Sequence, residues 1–237
     1  DLESVKNEAE QEAWLKQGAA ELDNMLRGDL SLEKICTDVL TFMAGYLKEQ
    51  VGLIYVHDGK GGYQYMAGYA FEPADGFQDR FVPGEGLTGQ AAVERKILTL
   101  TDIPADYLFV TSSLGRTAPR HLSIIPFVFD DKVEAVMELG CLNPLTQLQT
   151  SFIKQTADSI AIIIAAARSR QELNKALVKT TQQAEELKGQ QEELQSANEE
   201  MEEQTQMLMA SEGKLKEQQE ELQAANEELE EKTEYLE

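Results

Sequence analysis

The run LSIIPFVFDDKVEAVMELGC, residues 122–141, decides the fold. Residues 122–129 and 133–141 are rich in β-branched and aromatic side chains, and Asp130, Asp131 and Lys132 form a polar break between them. Such a pattern predicts two strands joined by a tight turn. Pro126 lacks the N–H that a ladder needs, so it predicts an edge or bulged position inside the first strand. Upstream, VGLIYV (51–56) and YQYMAGYAF (63–71) predict a second hairpin across Gly59, Gly61 and Gly62. GLTGQAAVER predicts a short helix and ILTLTD a strand, followed by an irregular passage over 103–121 with Pro104 and Pro119. Two helices precede the hairpins. In the first, over 1–26, Leu15, Ala19, Leu22 and Leu26 share a face. In the second, capped by Ser31, Leu32, Ile35, Val39, Phe42, Met43 and Tyr46 recur at helical spacing. From Gln147 the pattern is helical to the end. Hairpins with tight turns and flanking helices predict an α+β domain with a mostly antiparallel sheet.

The tail carries a second signal. ELQSANEEM (193–201) returns as ELQAANEEL (221–229), 28 residues later, which is four heptads. Leu187, Leu194, Met201, Leu208, Leu215, Leu222, Leu229 and Leu236 follow one another at intervals of seven. This places them at position d of a coiled coil. Position a is then almost entirely polar and includes Asn198 and Asn226. A seam Asn fixes register and strand number at a cost in stability. The pattern predicts a parallel homodimer held by a marginal coil that can shift between close-lying packings. Ile160, Ile164 and their apolar neighbours lead into this coil. With Leu15, Leu22 and Leu26 of the first helix they predict a four-helix bundle at the dimer axis.

The 237 residues carry a formal charge of −22, and residues 171–237 hold 19 Glu against 6 Lys. Such a surface repels phosphate backbones and anionic lipid, arguing against nucleic acid and direct membrane binding. The longest apolar run, IAIIIAAA at 160–167, is too short to cross a bilayer. Cys36 and Cys141 stand far apart in apolar settings, which fits a reducing, cytoplasmic compartment. The chain starts without Met and stops inside a helical pattern, so it reads as a piece of a longer protein.

The stretches PGEGLTGQAAVERKILTLTDIPADY (83–107), SSLGRTAPRHLSIIPFVF (112–129) and KVEAVMELGCLNPLTQLQTSFI (132–153) resemble a GAF domain. The resemblance covers about residues 14–170. The tail is similar to the linker between GAF domains and the kinase core of bacterial sensor histidine kinases. The resemblance implies a central antiparallel sheet of five or six strands with helices on both faces. It also implies a small-molecule pocket and dimerisation through the flanking helices. The Asn-Lys-Phe-Asp-Glu pattern of cyclic-nucleotide-binding members is missing. So is the bilin-attachment cysteine, since Ala118, Pro119 and Arg120 precede His121.

Residues 84–89 satisfy G-x-G-x-x-G, but Pro83 precedes them and Glu85 would oppose a pyrophosphate, so they read as a Gly-rich turn into a helix. His57 ends a strand beside a turn; His121 could face a pocket or haem, but no second ligand accompanies it. No catalytic constellation or metal-spaced cluster stands out, and no cofactor is evident. Aromatics, hydroxyls and one cation gather around the irregular passage. Tyr69, Tyr107, Phe109, Thr111, Ser112, Ser113, Arg116 and His121 form the candidate ligand pocket, with Arg116 placed to meet a carboxylate or phosphate. The alternative is a self-packed loop whose Arg pairs with a neighbouring Asp.

Three segments follow: a signalling and dimerisation helix over 1–28, a GAF-like domain over 29–168 and a coiled-coil linker over 169–237. They read as a non-enzymatic sensory or relay module of a histidine kinase. Input would be a ligand or a movement of the first helix, and output a shift of the coil toward a kinase. The alternative is a structural dimerisation spacer with an empty pocket.

Overall fold

The computed structural model describes residues 2–71, 73, 77–101, 103, 110–112, 115–117 and 119–234. It divides into two units, 1–174 and 175–237. The first unit opens with α1 (Leu2–Met25) and α2 (Leu32–Leu47), then β1 (Val51–His57), β2 (Tyr63–Tyr69) and β3 (Arg80–Phe81). It continues with α3 (Gly86–Glu94), β4 (Leu98–Thr101), β5 (Val110–Ser112), β6 (Gly115–Thr117), β7 (His121–Phe129) and β8 (Lys132–Cys141). The last helix, α4 (Gln147–Glu234), begins in the first unit and supplies the second. Here α1 belongs to the first unit, because Leu22 and Leu26 are part of its core.

Residues 122–141 form the hairpin that their pattern predicts. Phe129 pairs with Lys132, and Asp130 and Asp131 between them have φ of 49° and 58°. Two successive left-handed residues make the type I′ turn whose twist matches that of paired strands. The six-stranded sheet has the order β3-β2-β1-β8-β7-β4, and every neighbouring pair is antiparallel. β5 and β6 form a separate ribbon. Pro126 pairs with Val136 on one side, while β4 meets β7 only up to Ile124. The proline therefore sits just past the end of a partner, where its missing N–H costs no ladder bond.

Each face of the sheet is covered. On one, α1, α2 and α4 pack against Ile54, Val56, Ile125, Phe127, Met137 and Leu139. On the other, Leu87, Ala91 and Ala92 of α3 pack over Leu53, Tyr55, Leu122 and Ile124. Where the three helices meet, the Tyr46 ring stacks 4.5 Å from Trp14 and lies 4.8 Å from Phe152. The Tyr46 hydroxyl donates to the Trp14 carbonyl at 2.6 Å. Gly18 lies against the same ring, and a Cβ there would overlap it. α4 starts with a reciprocal cap: Gln149 N–H donates to Thr146 Oγ1 (3.2 Å), and Thr146 N–H donates to Gln149 Oε1 (2.8 Å).

This packing changes the assignment of the expected dimer bundle. Leu22, Leu26, Ile160 and Ile164 are at most 6% exposed in a single chain, and Leu15 packs against the same core. A side chain with no free surface has none to offer a second copy, so Leu22, Leu26, Ile160 and Ile164 pack within one chain, while Leu15 is half-buried. No described helix is long and apolar enough to cross a membrane.

Candidate functional site

Two bulges sort the side chains of the sheet. On β8, Phe127 pairs with Ala135 and Val128 with Val133, leaving Glu134 as the extra residue. On β2, Ile54 pairs with Ala67 and Tyr55 with Tyr65, leaving Met66 extra. An extra residue reverses the in-out alternation beyond it. Glu134 and Glu138, four apart, would share a face in a regular strand. Here Glu134 turns to the helices and meets Arg168 of α4, while Glu138 turns to the face covered by α3. The β2 bulge likewise separates Tyr65 from Tyr69: Tyr65 packs with the α3 face and Tyr69 with the helical layer.

On the α3 face the register sets Gly68, Leu53, Glu138, Ile124 and Leu98 side by side across five strands. Glu138 is in the middle of that row and 8% exposed. Burial pushes its carboxyl up to about 7 from the ordinary 4.5. No described residue gives it a hydrogen bond or an ion pair, and burial is the sole influence on its titration. At one end of the row, Tyr65, Phe71 and Phe77 contact one another with centroids 5.1–6.4 Å apart. Gly68 lets these rings close over the strand, since a Cβ there would come within 2.7 Å of the Tyr65 hydroxyl. An apolar floor, half-buried aromatics and one placed charge are what small-molecule sites are built from.

On the opposite face, Arg168 gives Glu134 Oε2 two hydrogen bonds, from Nε at 3.1 Å and Nη2 at 2.8 Å, and Nη1 reaches Glu172 at 2.9 Å. The pair borders a cleft of about 600 Å³ that also includes Asp58, Lys60 and Lys132. Its charges largely compensate one another. Desolvation works against the Asp58 carboxylate, but N–H groups of Gly62 and Lys60 and the Arg80 guanidinium outweigh it and hold the group at about 2. A second cleft, about 630 Å³, has Arg95, Lys96 and Lys154 above Ile97, Ile125 and Pro126.

Of the sequence-predicted pocket residues, Tyr69 and His121 have described side chains. Tyr69 is on β2 and His121 on β7, with β1 and β8 between them, and they line neither cleft. His121 pairs with Thr101 and Cys141, and its buried Nδ1 has no partner among the described residues. Thr111, Ser112 and Arg116 belong to the β5–β6 ribbon, where Thr111 pairs with Arg116. Tyr107, Phe109 and Ser113 lie outside the described residues. Glu138, Tyr65, Phe71 and Phe77, which the sequence reading left out, make up the candidate site on the α3 face. No three metal-ligating side chains come together among the described residues. Burial, with the charge of Glu33, raises the Cys36 thiol to about 12; burial, with Glu49, does the same for Cys141. Neither is an activated thiol.

In the second unit, the d positions from Leu187 to Leu229 are 61–66% exposed, and Asn198 and Asn226 are exposed. Leu236 lies outside the described residues. Counting back by sevens from Leu187 passes Thr180 and reaches Leu173, with Leu177 at a; both leucines are exposed.

The GAF domain family model matches residues 29–165. Among solved structures, the GAF domain of a phosphoenolpyruvate-protein phosphotransferase from Coxiella burnetii aligns with a TM-score of 0.55 and 18% identity. It covers 67% of this chain and 96% of its own. The corresponding domain from Acinetobacter gives 0.54 and 18%, covering 67% and 97%. No protein of curated function matches the chain. The antiparallel sheet, the helical layer on one face and α3 on the other agree with the family match over more than half the chain: the protein belongs to the GAF domain family, whose members are sensor and regulatory domains of signalling proteins.

Proposed function

We propose that this chain is the sensory and relay part of a bacterial signalling histidine kinase. In this reading the GAF unit binds a small molecule on the Glu138 face. Two chains pair in parallel through the heptad stripe of α4, and a shift in that pairing is the output to a kinase. The observation that carries it is the stripe itself. Seven large apolar residues from Leu187 to Leu229 recur every seventh position and stand 61–66% exposed. Leucines in unbroken heptad register are the seam of a coiled coil, and a second copy with the same register is the partner they fit. The polar a positions, Asn198 and Asn226 among them, keep the seam weak, so its states can lie within the few kcal/mol that a ligand can bias.

A native mass spectrum of the purified chain tests this. A dimer mass is expected, and a discrete excess mass would report an occupied site. A monomer at micromolar concentration would remove the relay, since the stripe would not be joining two chains. A bare dimer with no response to any ligand would favour a dimerisation spacer.

A further inference from the structure

We infer that the cleft between the outer edge of β7 and α4 is a second ligand site, for a small amphipathic anion: a monocarboxylate whose head meets Lys96, Lys154 and Arg95 and whose apolar body lies on Ile125, Pro126 and Val128. It goes beyond the proposed sensory reading, because it is separate from the Glu138 face and one of its walls is α4.

The cleft follows from the way the sheet ends. β4 pairs with β7 from Thr101 opposite His121 to Leu98 opposite Ile124. Pro126 has no N–H with which to carry that ladder on. Before Leu98 the chain comes through Ile97 and Lys96 from Arg95, the left-handed residue with φ 56° that ends α3. The outer edge of β7 from Ile125 to Val128 is therefore left without a neighbouring strand among the described residues. α4 stands over it with Thr150, Lys154, Ala157 and Asp158, which helical spacing places on one face. The enclosed volume is about 630 Å³, within the range of small-molecule sites. Its floor is apolar: Ile125 and Pro126 are buried, and Val128, Ile97 and Ala157 half-buried.

The charge of the cleft is a separate observation. The chain has 43 acidic residues against 21 basic ones, so a basic side chain ordinarily finds acids around it. Here three bases meet one acid, Asp158, among the described lining residues. Arg95 Nη1 reaches Asp131 at 3.2 Å, but that carboxylate is exposed to solvent, and Nε and Nη2 have no described partner. Lys96 and Lys154 have no ion partner among the described residues. Lys16, Lys34 and Lys232 each pair with an acid one helical turn away. Lys154 has Asp158 at that same spacing and does not pair with it. Lysines on flexible stems can converge on a carboxylate, and the guanidinium adds a planar fork. An organic cation would face like charges there, and a compact anion such as phosphate would leave the apolar floor wet. A carboxylate with an apolar body satisfies both the rim and the floor.

The test uses the full chain with octanoate and hydrocinnamate, each beside the alcohol of the same skeleton, and with inorganic phosphate. Titration calorimetry reads binding, and lysine acetylation followed by peptide mass reads its place. The carboxylates are expected to bind, and to protect Lys96 and Lys154 from acetylation but not Lys175 in the second unit. Lys96→Gln/Lys154→Gln is expected to weaken them about tenfold. Both side chains are exposed, so the unfolding midpoint of this variant should match the parent. Carboxylates that bind the double variant undiminished and leave both lysines unprotected would overturn the cleft as their site. Alcohols that bind equally well would overturn the anion, and phosphate that does so would overturn the apolar body. No binding by any of the compounds would overturn the inference as a whole. None of these outcomes changes the dimer mass by which the proposed function is judged.

Discussion

Glu138 couples stability to pH. Its folded-state carboxyl titrates at about 7 against an ordinary 4.5, so the fold favours the protonated form. Stability is then full below about 4.5 and falls as pH rises through 7. The shift corresponds to about 3 kcal/mol by pH 8. Urea unfolding of the first unit at pH 5 and pH 8 should show this loss, and Glu138→Gln should abolish most of it. A Glu138→Gln curve that stays as pH-dependent as the parent would mean that other groups carry the effect. Asp58 has the opposite sign. Its depressed carboxyl contributes stability above about 4 that is lost as pH falls toward 2, so the two do not overlap near neutrality.

At the scale of elements, the ladder of alternation was legible and its interruptions were not. Residues 122–141 disclose their hairpin because β-branched runs flank a polar pair, and Pro126 correctly signals a gap in pairing. Helical spacing likewise exposes α2. Bulges leave no such mark, because they are decided by which residues oppose one another across two strands. Without the β8 bulge, Glu134 and Glu138 read as the wet side of one amphipathic strand. With it, one is an ion-pair partner and the other the candidate ligand contact. The β2 bulge likewise sets Tyr65 and Tyr69 on opposite faces. The Glu134–Arg168 pair should be costly to break from one side. Glu134 is 5% exposed and Arg168 18% as side chains, so Glu134→Ala leaves a mostly buried guanidinium with Glu172 alone. The expected loss is about 3 kcal/mol, and the Glu134→Gln/Arg168→Met double variant should recover part of it. A loss below about 1 kcal/mol for Glu134→Ala would show that Glu172 and solvent suffice.

For the whole molecule, the two units answer to different variants. Leu208 sits in the stripe and is 63% exposed, so Leu208→Lys touches no core contact of the first unit. The variant should lower or abolish the dimer in a native mass spectrum, while the unfolding of the first unit keeps its midpoint. If Leu208→Lys remains fully dimeric, the seam lies elsewhere, with exposed Ile162 and Ala166 on α4 the next place to look. The heptad stripe was readable because a repeat of seven needs no tertiary information. The bundle over Ile160 and Ile164 was misassigned because an apolar helix face does not announce whether its cover comes from the same chain.

β8 also separates two kinds of change open to descendants of this sequence. Ala135, Met137 and Leu139 face the helical layer, while Val136 and Glu138 face the site. Beyond the bulge, odd positions pack under the helical layer and even ones face α3. A lineage can therefore rewrite the α3 face by changing alternate letters of one strand, while the packing that moulds the domain is inherited intact.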